Sequence, residues 1–122
     1  MKVSQCLMSE LYNIEDKGDY SVYTFDGIDL KIKCVENKNN VNVYIKYKEH
    51  NPLFSMLFGG FSEDCDLYSI GFEVQSEARG KYAVVSKEKL EDFIEEAYFF
   101  IWEHRAVLDK IPKDMNRFMW EI

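Results

Sequence analysis

Apolar and polar positions alternate with period two through three consecutive stretches of the first half of the chain. Ile28, Leu30, Ile32 and Cys34 fall on one face, and Asp29, Lys31 and Lys33 on the other. Val41, Val43, Ile45 and Tyr47 repeat the pattern, and Ser21, Tyr23 and Phe25 precede it. Such alternation marks half-buried strands, because successive side chains leave opposite faces of a sheet. Asp26-Gly27 separates the first two runs and predicts a two-residue hairpin, whose type I′ turn needs positive φ at both central positions. That turn would set Phe25 opposite Ile28, Tyr23 opposite Leu30 and Ser21 opposite Ile32. The polar stretch Asn37-Lys38-Asn39-Asn40 predicts a second hairpin. Pairing Glu36 with Val41 there keeps one inner face and sets Lys31 against Lys46. Three strands over 20–48 thus read as a meander with a consistent register.

The period changes elsewhere. Val3, Leu7, Leu11 and Ile14 recur at helical spacing and predict a helix over 3–16, with Gly18 as its C-terminal stop. Asn51-Pro52 reads as an N-cap followed by proline at the first helical position, opening a short helix that ends at Gly59. Tyr68, Ile70, Phe72 and Val74 alternate again, and a turn within 76–80 returns the chain through 81–85, which predicts a hairpin over 67–85. Ser86 reads as the N-cap of the longest helix, 87–109, with Leu90, Ile94, Ala97, Ile101 and Leu108 as its apolar stripe. Pro112 closes it. The expected fold is a single α+β domain over 1–122. Its antiparallel sheet of about five strands is packed by an N-terminal helix and a long C-terminal helix.

Composition supports a folded core. The chain has 122 residues, 47% of them hydrophobic and 16% aromatic, enough apolar surface to offset conformational entropy without metals or disulfides. Cys6, Cys34 and Cys65 are odd in number and widely spaced, unlike a disulfide framework or a zinc site. Met1-Lys2-Val3-Ser4-Gln5 lacks the pattern of a secretory leader, and the longest apolar run, 97–102, is too short to span a bilayer. These features point to the reducing cytoplasm.

Charge changes the picture more. There are 22 acidic against 15 basic residues, a net charge of −7. The acids gather: five lie between Ser62 and Glu77 with no basic residue among them, and Glu88, Glu91, Asp92, Glu95, Glu96 and Glu103 line the long helix. The lysines 31, 33, 46 and 48 instead alternate outward on the meander, with Tyr20 and Tyr44 among them. Basic residues interleaved with aromatics can hold single-stranded nucleic acid, but lysines on exposed strands also guard against aggregation, and the net charge repels phosphate. A helix lying across these lysines would neutralise them internally.

A search for chemistry yields no catalytic constellation, cofactor cradle or metal cluster. His50 and His104 belong to no ligand motif. Gly59-Gly60 lacks the Lys-Ser or Lys-Thr of a phosphate loop, and Asp64-Cys65-Asp66 lacks the glycine and bidentate glutamate of a calcium loop. What stands out is apolar excess. Tyr98-Phe99-Phe100-Ile101-Trp102 places five large residues in succession on one helix, and at 100° per residue they cover every side. A single sheet cannot bury them all, so some pack under the C-terminal segment or face a partner.

These features predict a binding protein rather than an enzyme, with no cofactor and no metal. Its expected partner is a basic protein, a toxin or nuclease domain, reached by electrostatic steering. The candidate contacts are Glu63, Asp64 and Asp66 on the acidic loop, and Glu91, Asp92, Glu95, Phe99 and Trp102 on the helix. In size, acidity and the lack of catalytic residues the chain resembles two groups of inhibitors, a general likeness that carries no residues over. One is the immunity proteins that neutralise bacterial contact-dependent toxins, and the other the phage proteins that inhibit host defence nucleases. A homo-oligomeric structural or adaptor domain using the 98–102 aromatics is the alternative from another class, and a small enzyme or ligand binder with a pocket between sheet and long helix is a third.

Overall fold

The computed structural model describes residues 12–48, 73–77 and 80–110. They form strands β1 (Tyr12–Asp16), β2 (Tyr20–Phe25), β3 (Leu30–Glu36), β4 (Asn40–Tyr47), β5 (Glu73–Glu77) and β6 (Gly80–Ser86). A 3-10 turn (Lys87–Lys89) then leads into helix α1 (Leu90–Leu108). The strands make one antiparallel sheet in the order β1-β2-β3-β4-β6-β5. The meander is thus four-stranded, and the later hairpin joins it through β6, leaving β5 at the far edge among the described residues.

The α+β expectation holds, but the N-terminal helix is not found. Residues 12–16 are a strand, and 3–11 lie outside the described residues. The same residues carry a second period, since Tyr12 and Ile14 alternate with Asn13 and Glu15. Pairing decides between the two: Tyr12 sits opposite Phe25 and Ile14 opposite Tyr23, and the Tyr12 ring lies 5.2 Å from that of Tyr23 and 5.5 Å from that of Phe25. Gly18 is no helix stop. With φ at 93° it takes the first position of a two-residue hairpin closed by the Lys17 N–H donating to the Tyr20 carbonyl at 2.8 Å. The Gly18 N–H also donates to Asp16 Oδ1 at 2.9 Å.

The turn at Asp26-Gly27 corrects the first hairpin in the opposite sense. Tyr23 pairs with Ile32 and Ser21 with Cys34, two residues beyond the expected register. Four residues, 26–29, form the loop, with Gly27 at φ 75° and the Leu30 N–H donating to the Ile28 carbonyl at 2.9 Å. An even shift keeps every side chain on its intended face, so the inner face survives the change. Ile28 is drawn against the core instead of pairing with Phe25. The second hairpin matches its expectation: Glu36 pairs with Val41 and Lys31 with Lys46. Asn37 holds that loop through Nδ2, which donates to Asn40 Oδ1 at 3.0 Å and Asn42 Oδ1 at 2.8 Å.

The core lies between α1 and one sheet face. Phe25, Leu30, Ile32, Val43, Ile45, Tyr47, Ala83 and Val85 meet Phe93, Ile94, Ala97, Ile101 and Leu108 there. The expected helix stripe is buried except for Leu90, which is partly covered. Ser86 precedes the helical turn in extended conformation, but its side chain makes no capping hydrogen bond. The short helix expected after Asn51 and residues 67–72 of the expected hairpin lie outside the described residues.

Past the C-terminal end of α1 a polar latch ties the helix back to the sheet. Tyr47 Oη donates to Asp109 Oδ1 at 2.8 Å, and Lys48 Nζ reaches the same oxygen at 2.9 Å. Lys48 is in the left-handed region at φ 55°, a conformation held by its N–H donating to the Asp29 carbonyl at 2.9 Å. Burial and then the bond to Asp109 push the Tyr47 phenol above its ordinary value. Asp109→Ala should destabilise the fold by about 1–3 kcal/mol, because the Tyr47 hydroxyl would lose this acceptor. A double-mutant cycle with Tyr47→Phe, followed by urea unfolding, checks this. A coupling near zero would show that the bond contributes nothing.

Candidate partner-binding surface

The two faces of the sheet differ sharply. On the face away from α1, Lys33 is 5% exposed and lies between two rings, with Nζ 4.8 Å from the Tyr20 centroid and 5.2 Å from that of Tyr44. Tyr44 packs in turn on Tyr82 at 5.0 Å. A cation shared between aromatic faces is stabilised by their quadrupoles, most strongly when water is excluded. The expected basic face is therefore broken. Lys33 is covered, Lys48 turns to Asp109, and Lys31 and Lys46 stand opposite each other as exposed and half-buried neighbours. Helix α1 does not lie across these lysines, since its buried residues pack on the other face.

That other face carries a continuous row of rings from the edge strand to the helix. Tyr12 contacts Tyr23 and Phe25, Phe25 stacks on Tyr98 at 4.9 Å, and Tyr98 stacks on Trp102 at 6.2 Å. Phe99 meets the edge of Tyr98 at 4.9 Å. The row ends in solvent. Trp102 is 38% exposed, and the Arg105 guanidinium lies 4.0 Å from its ring centroid while also donating to the Trp102 carbonyl. Glu91, Glu95, Tyr98, Trp102 and Arg105 follow one another at spacings of three or four, so they share one side of α1. Their acidic end reaches the edge strand. Burial first, then the charges of Glu91 and Glu95, raise the Tyr12 phenol above its ordinary value. No protein-family model, curated protein or solved structure matches this chain.

The structure sorts the predicted contact residues. Glu91 is exposed and Asp92 half-buried, Phe99 is half-buried, and Trp102 is the exposed aromatic of the helix. Glu95 is only 5% exposed, which removes it from the surface charges that a partner meets at long range. Glu63, Asp64 and Asp66 lie outside the described residues, as does His50. Of the five successive large residues, Tyr98, Phe100 and Ile101 are buried. His104 is half-buried, stacked 4.2 Å from the Phe100 ring with Nδ1 2.9 Å from the Phe100 carbonyl oxygen. The Nδ1–H is the donor in that contact.

Sequence reasoning missed the edge strand and Tyr12, which extend the ring row beyond the helix. The Tyr12/Ile14 alternation was the available signal. Among the described residues no group of three or more His, Cys, Asp or Glu could hold a metal ion, and no helix is long and apolar enough to cross a membrane.

Proposed function

We propose that this chain acts by binding, as an inhibitor that occludes the working surface of a basic protein, in the manner of immunity proteins that neutralise bacterial toxins. The observation that carries the reading is Trp102. It is exposed, yet its position is set from beneath by Tyr98 and from the side by Arg105. Tryptophan, tyrosine and arginine dominate binding hot spots because they bury large areas, and a pre-packed ring loses little freedom on docking. The net charge of −7 supplies steering toward a basic partner, and the exposed Glu88 and Glu91 lie on the same helical segment as this anchor.

The test is co-expression with the polypeptide encoded immediately upstream of this chain, whatever its identity, read as growth inhibition by that polypeptide alone and rescue by this chain, followed by calorimetry on the purified pair. Trp102→Ala should weaken the complex by about 2 kcal/mol or more, roughly thirtyfold. Reversing Glu63, Asp64 and Asp66 together should slow association and flatten its salt dependence. Binding unchanged by the triple reversal would take the acidic loop out of the site. Absence of both rescue and complex would overturn the reading.

A further inference from the structure

Strand β1 ends the sheet among the described residues, and its backbone is oriented for further pairing. The Lys17 N–H donates to the Tyr20 carbonyl, so Lys17 belongs to a hydrogen-bonded pair with β2. Such pairs alternate along an antiparallel ladder, so Asn13 and Glu15 also direct their backbone groups inward to β2. Tyr12, Ile14 and Asp16 then direct theirs outward. At the centre of that edge the side chain is Ile14, 54% exposed. Edges protected against pairing place a charged side chain, lysine above all, a proline or a bulge at such a position. The central Ile14 is none of these, and the acids Glu15 and Asp16 lie to one side of it.

We infer that β1 pairs antiparallel with β1 of a second copy of this chain, about a two-fold axis through Ile14. The pairing is self-complementary. Ile14 meets the partner's Ile14, Asn13 faces the partner's Glu15, and Tyr12 faces the partner's Asp16. All five residues of the strand find a counterpart, and the outward backbone groups of 12, 14 and 16 meet one another. Glu15, which pairs with Lys17 through Oε2 at 2.9 Å, and Asp16, whose Oδ1 accepts from Gly18, each keep a second oxygen for the partner's donor. Neighbouring registers fail on physical grounds. A shift of two in one direction sets Glu15 against the partner's Glu15, with like charges directly opposed. A shift of two in the other leaves only three pairs. A shift of one puts Ile14 on the wrong face. The product is a closed dimer with one continuous sheet, in which each exposed β1 edge removes the other.

Sedimentation equilibrium of the full chain, over a wide concentration range at low and high salt, tests this without any other protein. The wild type should dimerise reversibly, and more tightly at high salt, where the repulsion between two acidic copies is screened. Complex formation with a basic partner responds to salt in the opposite direction, so the two surfaces are told apart. Ile14→Lys, at an exposed position, should give a monomer with an unchanged circular dichroism spectrum. Asn13→Glu places two like-charged pairs in the dimer and should weaken it about tenfold. The double variant Asn13→Glu/Glu15→Lys should restore it. A wild type that stays monomeric throughout would overturn the proposal, and so would a dimer that survives Ile14→Lys. Failure of the double variant to recover would overturn the register.

Discussion

Phe25→Ala should lower the unfolding free energy by about 3–5 kcal/mol, a large part of what holds a domain of this size together. Phe25 is 3% exposed and joins three elements: its own strand, Tyr98 of α1 stacked at 4.9 Å, and Tyr12 of β1 at 5.5 Å. Truncation removes the transfer energy of a buried ring and leaves a cavity lined by rigid aromatics that cannot easily collapse into it. Phe25→Leu retains most of the volume and should cost about 1 kcal/mol. The contrast with Trp102 is informative. Trp102→Ala removes a ring that is 38% exposed, and should move stability far less than it moves binding. Urea unfolding of the three variants checks the ranking. A Phe25→Ala protein within 1 kcal/mol of wild type would mean that the ring row contributes little.

The second large effect is a loss of stability in alkali to which Cys34 makes the largest contribution. Burial pushes the Cys34 thiol from its ordinary value of 9.0 up to about 12. A folded-state value above the unfolded one means that the native state holds its proton where the unfolded chain has released it. The stability contributed by this thiol is therefore fully present below about pH 9 and is lost as pH rises from about 9 to about 12, on the order of 4 kcal/mol in total. Tyr23 adds a smaller loss beginning near pH 10, since burial, followed by the neighbouring Cys34, raises its phenol to about 12. Cys34→Ala should cost about 1 kcal/mol at neutral pH through its small cavity, yet fall more slowly above pH 9. Its curve and that of the wild type should converge and then cross. If the two fall in parallel from pH 8 to 11, the thiol is not the source.

Much of the sheet was legible because several independent signals agreed. Three runs of alternation and the Asn-rich loop define β2 to β4, their common inner face and the pairing of Glu36 with Val41. The stripe from Leu90 to Leu108 was equally plain. The turns were harder, because glycine marks a positive φ without saying which kind of turn requires it. Gly18 resembles a helix stop and closes a two-residue hairpin, whereas Asp26-Gly27 resembles such a hairpin and lies in a four-residue loop. Burial of charge was illegible for a different reason. Lys33 follows the alternation of an outward lysine, and Glu95 sits among outward acids, but local period does not show what comes to rest above them. The candidate surface was half legible. The succession 98–102 announced an excess of rings, and only the packing of Tyr98 on Phe25 shows which of them is left to solvent.

The strand order also bears on how the chain assembles. From β1 to β4 each strand pairs with its immediate successor, so this half can grow hairpin by hairpin, each step on the order of microseconds. Beyond β4 the rule breaks, because Val41 to Val43 pair with Ala83 to Val85 across all the intervening chain. Closing so long a loop costs only slowly increasing entropy, but that cost comes before any contact offsets it. The seam between β4 and β6 thus divides a half that can form from local contacts from a half that must search for its place. The helix that seals the core follows β6 directly, so pairing of β6 and docking of the helix on the sheet place the same stretch of chain.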